Sequence, residues 1–497
     1  MSEDAEQMQA TAARGAGWAI ALGLGSRILS LVASVVITHF IDPEVMGEVG
    51  VAVIVVTMVN TFSTIGYGHY ILSKPTEGRD TTWHITVLHV GLGVAALAGI
   101  LLMNRPLALW MNAPALTTYL PWLVLVGLLE RFTFMPERIL IRAMKMKRVA
   151  TTRSIGELSY AIVALSLVWV GFGGFAIVLA NVVRSGLKLV MFAGSASRAE
   201  WLTPCRLSIV KYKEILGFGA PLALSGAVYF AASRWDNLII SMLYGPALMG
   251  QYNVAYNLAA VPADQIGEQA EEALLPSLAR VKQDQRPAML LYATGMLSFI
   301  LFPVSIGLGL VATTAARTFI GVKWDEVGPM MAILCVLSIA RPISHQMHAY
   351  MLAEGRPRVF LGIEIGKLAA LIALLFTLGR ISPRWACIAV GIAFLGHALV
   401  AQLIASRHGR FPISAFFAKT LRPLGACVPL AGAVLAARWA MSGVHTRGLD
   451  LVAEIIAGGI GYVVGALLFA RSQTTELVDL VRSRRRRLSS GPPPPLP

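Results

Sequence analysis

Positive charges set inside otherwise apolar stretches are the residues of this chain best able to do chemistry. Arg27, Arg131, Arg184, Lys188, Arg234, Arg341 and Lys367 each interrupt a run long enough to cross a bilayer. At the centre of a spanning helix such a side chain costs at least ~2.5–3.5 kcal/mol to insert, so it needs a partner or a wet cavity. Arg184 and Lys188 stand four residues apart on one helix face, where they repel unless an anion or water lies between them. A guanidinium meets a phosphate through two parallel hydrogen bonds. Arg27, Arg184, Lys188, Arg234 and Lys367 are therefore the expected cationic binding set for an anionic ligand. Arg131 and Arg341 read as nearer the ends of their spans, where a long side chain either snorkels to the surface or joins that set.

Acids share the same segments: Glu130, Glu157, Asp236, Asp264, Glu268, Glu271, Glu272 and Glu364. Glu364 and Lys367, three apart, are spaced to neutralise each other, whereas Arg234 and Asp236 cannot meet on one face and need partners elsewhere. Asp264, Glu268 and Glu271 form one stripe with two readings. It is either a wet helix end paired with Arg280 or Lys282, or a site for ion coupling. On the second reading Asp264 and Asp236 are the candidates to carry a proton or a sodium ion. Tyr252, Tyr256 and Asn257 offer ring and amide surfaces suited to sugars, or else face lipid. Cys205, Cys335, Cys387 and Cys427 lack CxxC spacing and read as small buried hydrophobes, not as a metal or disulfide set. No GxxxxGK[ST] nucleotide loop is present, and no loop is long enough to hold the acids of a glycosyl-transferring enzyme. The expectation is a transporter with no catalytic residue, no metal and no cofactor beyond a coupling ion.

The elements that must position these groups follow from composition. The chain is 56% hydrophobic and only 14% charged, with a mean hydropathy of +0.67; about 25% charged would be usual for a soluble domain. Apolar runs of roughly 20 residues recur between residues 15 and 470, as repeated spanning helices require. Fourteen are expected. The alternating strands of a closed barrel, the other solution in lipid, are not seen. The formal charge of +15 does not point to nucleic acid, because Lys and Arg gather in alternate loops; the strongest block is Arg138, Arg142, Lys145, Lys147, Arg148 and Arg153. Loops 40–44 and 244–246 on the other side are almost free of cations, which puts both termini in the cytoplasm. The first apolar run is too long for a cleaved signal.

Two stretches echo each other. Aligned on Pro43 and Pro246, the chain repeats Met46/Met249, Gly47/Gly250, Val51/Val254 and Ala52/Ala255, and Arg131–Val149 runs parallel to Arg341–Val359. The implied unit is six helices, and an even number returns the chain to the same side, so the repeats are parallel. The expected fold is an all-α polytopic membrane protein of two six-helix lobes, V-shaped about a central cavity, with an appended helix pair. The divisions are a leader at 1–14, an N-lobe at 15–194, a linker at 195–213, a C-lobe at 214–405, the appended pair at 406–470 and a basic, proline-rich tail at 471–497. That tail should lie against anionic headgroups.

The segments Arg234-Trp-Asp-Asn-Leu-Ile-Ile240, Tyr244-Gly-Pro-Ala-Leu-Met-Gly-Gln-Tyr252 and Ala255-Tyr-Asn-Leu-Ala-Ala-Val-Pro262 resemble the polysaccharide-exporter (Wzx-type) branch of the multidrug/oligosaccharidyl-lipid/polysaccharide flippase superfamily. Phe40-Ile-Asp-Pro-Glu-Val-Met-Gly47 and Thr64-Ile-Gly-Tyr-Gly-His69 are similar to the same branch. The resemblance implies a flippase of the bacterial inner membrane that moves undecaprenyl-diphosphate-linked repeat units for surface polysaccharide, coupled to protons or sodium. Partners implied are the lipid-linked glycan, membrane lipids and the polysaccharide polymerase machinery. The alternatives within the superfamily are a multidrug cation antiporter, whose cavity would be acidic, and a lipid II flippase, which would show a denser run of cavity arginines.

Overall fold

A computed structural model describes residue 25 and residues 29–64, 67, 70–71, 78–143, 145–442 and 448–479. The leader, Arg27 and the tail from residue 480 lie outside the described residues. Nearly all the described chain is helical, and it contains no strand. Nine helices among the described residues are long and apolar enough to cross a membrane. Other long helices, such as Leu116–Arg142, Met146–Trp169, Ile209–Tyr244 and Pro246–Arg280, are more polar and carry many of the buried charges.

The chain clusters into two compact units: residues 1–254 with Phe319–Trp324, and residues 255–318 with 325–497. The first begins, among labelled elements, with α1 (Pro43–Phe62), whose proline at the first helical turn needs no hydrogen-bond partner there. It continues with α2 (Arg79–Leu102), α3 (Leu116–Arg142), α4 (Met146–Trp169), α5 (Gly174–Ser195) and α6 (Ile209–Tyr244). A helical stretch at 29–37 precedes α1. Helix α3 packs on α1, α2 and α5, and α4 lies against α5. Tyr67, Tyr70, Ile85, Met135, Phe192 and Trp201 form a core beneath them. At 36 residues α6 is about 54 Å long by its 1.5 Å rise, well beyond the ~30 Å of hydrocarbon. It is joined to α7 (Pro246–Arg280) by Gly245 alone, which takes φ +82°, a backbone state that a side chain would disfavour. The boundary between units falls within α7.

The second unit holds the rest of α7, then α8 (Arg286–Phe319), α9 (Val327–Leu337), α10 (Ala340–Ala353), α11 (Pro357–Thr377), α12 (Pro383–Gly409), α13 (Ile413–Ala440) and α14 (Leu449–Phe469). The run expected as one span near 326–352 is broken at Ser338 and Ile339. Pro342 explains this, because it lacks an N–H and is tolerated only in the first turn of the new helix α10. Helix α12 packs against α9, α10 and α11. The pair α13 and α14 is tied to α8: Tyr462 donates to the Phe299 carbonyl, and Thr314 donates to Glu454 Oε1 at 2.9 Å.

Candidate functional site

The first unit gathers three of the charges into one group at mid-helix. Glu157 lies halfway along α4, and Arg184 and Lys188 share a face of α5. Arg184 Nη1 is 3.5 Å from Glu157 Oε2, and Lys188 Nζ is 3.6 Å from Glu157 Oε1. The anion needed between the two cations is thus a carboxylate of the chain itself. Both contacts are long, and all three side chains keep 22–25% of their surface exposed. Arg184 is aimed by Asn181 Oδ1 at 2.6 Å and by the Tyr160 ring, 5.2 Å from its guanidinium carbon. Gly156 leaves the path for Lys188 open, since a Cβ there would sit 2.8 Å from Lys188 Cε.

Asp236 is 1% exposed and accepts the Tyr252 hydroxyl at 2.6 Å, together with the backbone and side-chain N–H of Asn237. Tyr252 is itself fully buried, and its hydroxyl serves Asp236 in this structure. Asn253 donates to Asn237 Oδ1 at 2.9 Å, which extends this polar ladder between α6 and the first turns of α7. Arg234 is half-buried and makes no hydrogen bond or ion pair with a described residue.

Arg131 does not snorkel. It is 2% exposed, at the middle of α3, and its guanidinium donates to Asn60 Oδ1, the Asn60 carbonyl, Ser63 Oγ and Thr64 Oγ1. These acceptors lie at the carboxyl end of α1, where unpaired carbonyls and the helix dipole favour a cation. Its role is to cap a helix. Gly93 makes room for it, because a Cβ there would lie 2.5 Å from the arginine side chain.

The second unit holds a longer chain of polar groups, again near the middle of its helices. Arg341 Nη1 donates to Asp264 Oδ2 at 2.9 Å, and its guanidinium lies over the Tyr256 and Phe394 rings at 4.8 and 4.4 Å. His345 Nδ1 meets Glu271 Oε2 at 2.8 Å, and His348 Nδ1 meets the other oxygen of Glu271. Lys367 Nζ also approaches Phe394, 5.1 Å from the ring centre, and lies 2.6 Å from Glu364 Oε2. Glu364 Oε1 is 2.9 Å from His397 Nε2, whose Nδ1 faces Ser344 Oγ at 3.0 Å. The two Glu364 contacts are ion pairs by distance without hydrogen-bond alignment. A hollow of about 10 Å³, with room for about one water, opens beside Tyr256, Ser338, Arg341 and Phe394.

Two acids of the α7 stripe are therefore paired otherwise than with Arg280 or Lys282: Asp264 with Arg341, and Glu271 with two histidines. Arg341 stands at mid-span, because α9 and α10 together run Val327–Ala353, and it is buried at 8% exposure. The histidines are the residues that sequence reasoning missed. The signal was available: His345 and His348 share one face of α10, as Asp264 and Glu271 share one face of α7. Asn257 is half-buried.

Buried ion pairs and histidines at the middle of long apolar helices, with no strand among the described residues, define a polytopic helical membrane protein of transporter type. Residues 36–329, more than half of the chain, match the family described as "Polysaccharide biosynthesis protein". The chain belongs to that family, in the polysaccharide-exporter branch of the superfamily that its motifs resemble. It is 23% identical to the succinoglycan biosynthesis transport protein ExoT of Rhizobium meliloti (strain 1021) over 96% of this chain and 97% of ExoT. Identity is also 23% to the lipopolysaccharide biosynthesis protein WzxC of Escherichia coli (strain K12), over 69% of this chain and 70% of WzxC. Its fold is shared with the lipid II flippase MurJ in an inward closed conformation, with a TM-score of 0.73 at 14% identity over 91% of this chain and 98% of MurJ.

Proposed function

We propose that this protein flips oligosaccharide repeat units carried on undecaprenyl diphosphate across the inner membrane, for surface polysaccharide, with both termini in the cytoplasm. Membership of the polysaccharide biosynthesis family and the names of its relatives support the substrate class. The observation that carries it is the difference between two cation sites. Lys367 is held by Glu364 at 2.6 Å, with 5% and 7% side-chain exposure. Arg184 and Lys188 share one carboxylate at 3.5–3.6 Å and remain open to incoming groups. A long, partly hydrated ion pair has given up little of its solvation and exchanges readily; a desolvated pair does not. Arg184 and Lys188 are therefore the cations free to trade Glu157 for a diphosphate, which offers more oxygens and more charge. Tyr160 and Asn181, which hold Arg184, extend the polar surface for the headgroup. Lys367 is a structural charge. The chain Glu271–His345–Asp264–Arg341 is the proposed element for coupling to a proton or sodium gradient, since intramembrane acids and histidines are what such coupling uses.

The test is export of surface polysaccharide by cells that carry an Arg184→Ala/Lys188→Ala variant. Export should fall at least tenfold while the protein stays in the membrane at its usual level. Purified Glu157→Gln should bind a short-chain polyprenyl diphosphate at least as tightly as the parent. Normal export by the double variant would overturn the reading, and resistance to cationic drugs on overexpression would favour a multidrug antiporter instead.

A further inference from the structure

At one end of the first unit, contacts occur in two reciprocal pairs related by the internal repeat. Helices α1 and α7 cross with their backbones touching. A Cβ built on Gly47 would lie 1.8 Å from the Pro246 carbonyl oxygen, and one on Gly250 would lie 2.1 Å from the Pro43 carbonyl oxygen. Pro43-Glu-Val-Met-Gly47 and Pro246-Ala-Leu-Met-Gly250 are two copies of one motif, and each copy's glycine receives the other copy's proline carbonyl.

The second pair is made by loops. The connection before α3 holds the end of α6: Ser241 Oγ donates to the Met111 carbonyl at 3.2 Å, and Asn112 Nδ2 to the Met242 carbonyl at 3.4 Å. The matching connection of the second repeat, Phe319–Trp324 between α8 and α9, clusters with the first unit. There the Trp324 indole N–H donates to the Thr38 carbonyl at 2.8 Å, and Lys323 pairs with Asp42. Thr38 and Ser241 each stand five residues before their repeat's proline, so the two loops grip equivalent positions. The gripped groups are dry: Ser241, Met111, Thr38 and Trp324 are all under 4% exposed.

We infer that these contacts form a two-fold latch that closes this end of the protein, with each repeat clasping the other through the same motif and the same loop. The inference rests on the transport reading above, because a carrier has to open and close each end in turn, but not on which substrate is carried. Its α1–α7 crossing brings backbone against backbone at Gly47 and Gly250, with the buried Met249 side chain seated beside Gly50. The end it closes is the one opposite the basic loops, and thus the outward one by the charge rule.

Labelling tests this without any substrate. In a Cys205→Ser background the other native cysteines are buried, and Ser241→Cys reports the latch to a membrane-impermeant maleimide added to intact cells. Trp324→Phe removes one donor, and Gly250→Ala drives a methyl against the Pro43 carbonyl. Each should raise the labelling rate several-fold, and both together at least tenfold. Unchanged labelling in all three variants overturns the inference. So does a single variant as open as the pair, since the two halves would then not hold independently. A second arm bridges Asp42→Cys and Lys323→Cys with a short bis-maleimide. Export should fall at least tenfold relative to the same untreated variant, and full export with the bridge in place would overturn the latch. A wrong substrate assignment would leave the labelling result standing.

Discussion

The buried charges differ in how they are neutralised, and this sets what each can do. Arg131 is held by a helix end and four neutral acceptors, Lys367 by one close carboxylate, and Arg184 with Lys188 by a shared and distant one. The positions of these charges were legible in the sequence because a cation in a 20-residue apolar run stands out by type alone. Their partners were not, since a partner on another helix depends on packing that no local pattern carries; only Glu364–Lys367, within one turn, was readable. His397 was invisible for the same reason: a lone histidine in α12 gains meaning from Glu364 across the helix interface. Leaving one member of a buried pair uncompensated is the costly change. Lys367→Met should therefore destabilise the protein by about 3–5 kcal/mol, read as a lowered melting midpoint in detergent. Adding Glu364→Leu to that variant should restore most of the loss, whereas a structural role for the lysine stem alone predicts no restoration.

Helices themselves were the most legible level. Apolar runs of spanning length marked where helices lie along much of the chain, and the Pro43 and Pro246 motifs marked two starts that the structure shares. What the runs could not show was the break between α9 and α10, or which faces come close enough to need glycine. The pair α13–α14 illustrates the second point. On α14, Gly458, Gly461 and Gly465 line one face, and Cβ atoms there would lie 2.9 Å from Val434, 2.6 Å from the Pro429 carbonyl and 2.1 Å from the Ala426 carbonyl. Lipid gives two apolar helices no hydrophobic reason to associate, so close packing at small residues has to supply the attraction. Gly465→Leu should splay the pair and lower stability by about 3 kcal/mol, the upper end for overpacking. Gly459→Leu, whose Cβ meets nothing within 4 Å, is the matched control and should melt like the parent. Equal melting of the two variants would mean that the glycine face is not a packing surface.

Across the whole molecule, the repeat and the charge asymmetry make separate statements that have to agree. The repeat places the two Pro-x-x-Met-Gly motifs at the same end, because six helices return the chain to its starting side. The loop charges say which side that is: Lys147 and Arg358, at the starts of α4 and just inside α11, belong to the basic set, whereas Lys323 and Arg384 sit in the sparse one. All four side chains are exposed, so cysteines there report sidedness without disturbing a core. In a Cys205→Ser background an impermeant maleimide added to intact cells should label Lys323→Cys and Arg384→Cys. Lys147→Cys and Arg358→Cys should react only after the membrane is opened. The reverse pattern would put the latched end in the cytoplasm and turn a closed outer gate into a closed inner one. Labelling of Lys323→Cys and Arg384→Cys on opposite sides would break the parallel repeat itself, because α9 with α10 and then α11 separate these loops by two crossings and must return them to one face.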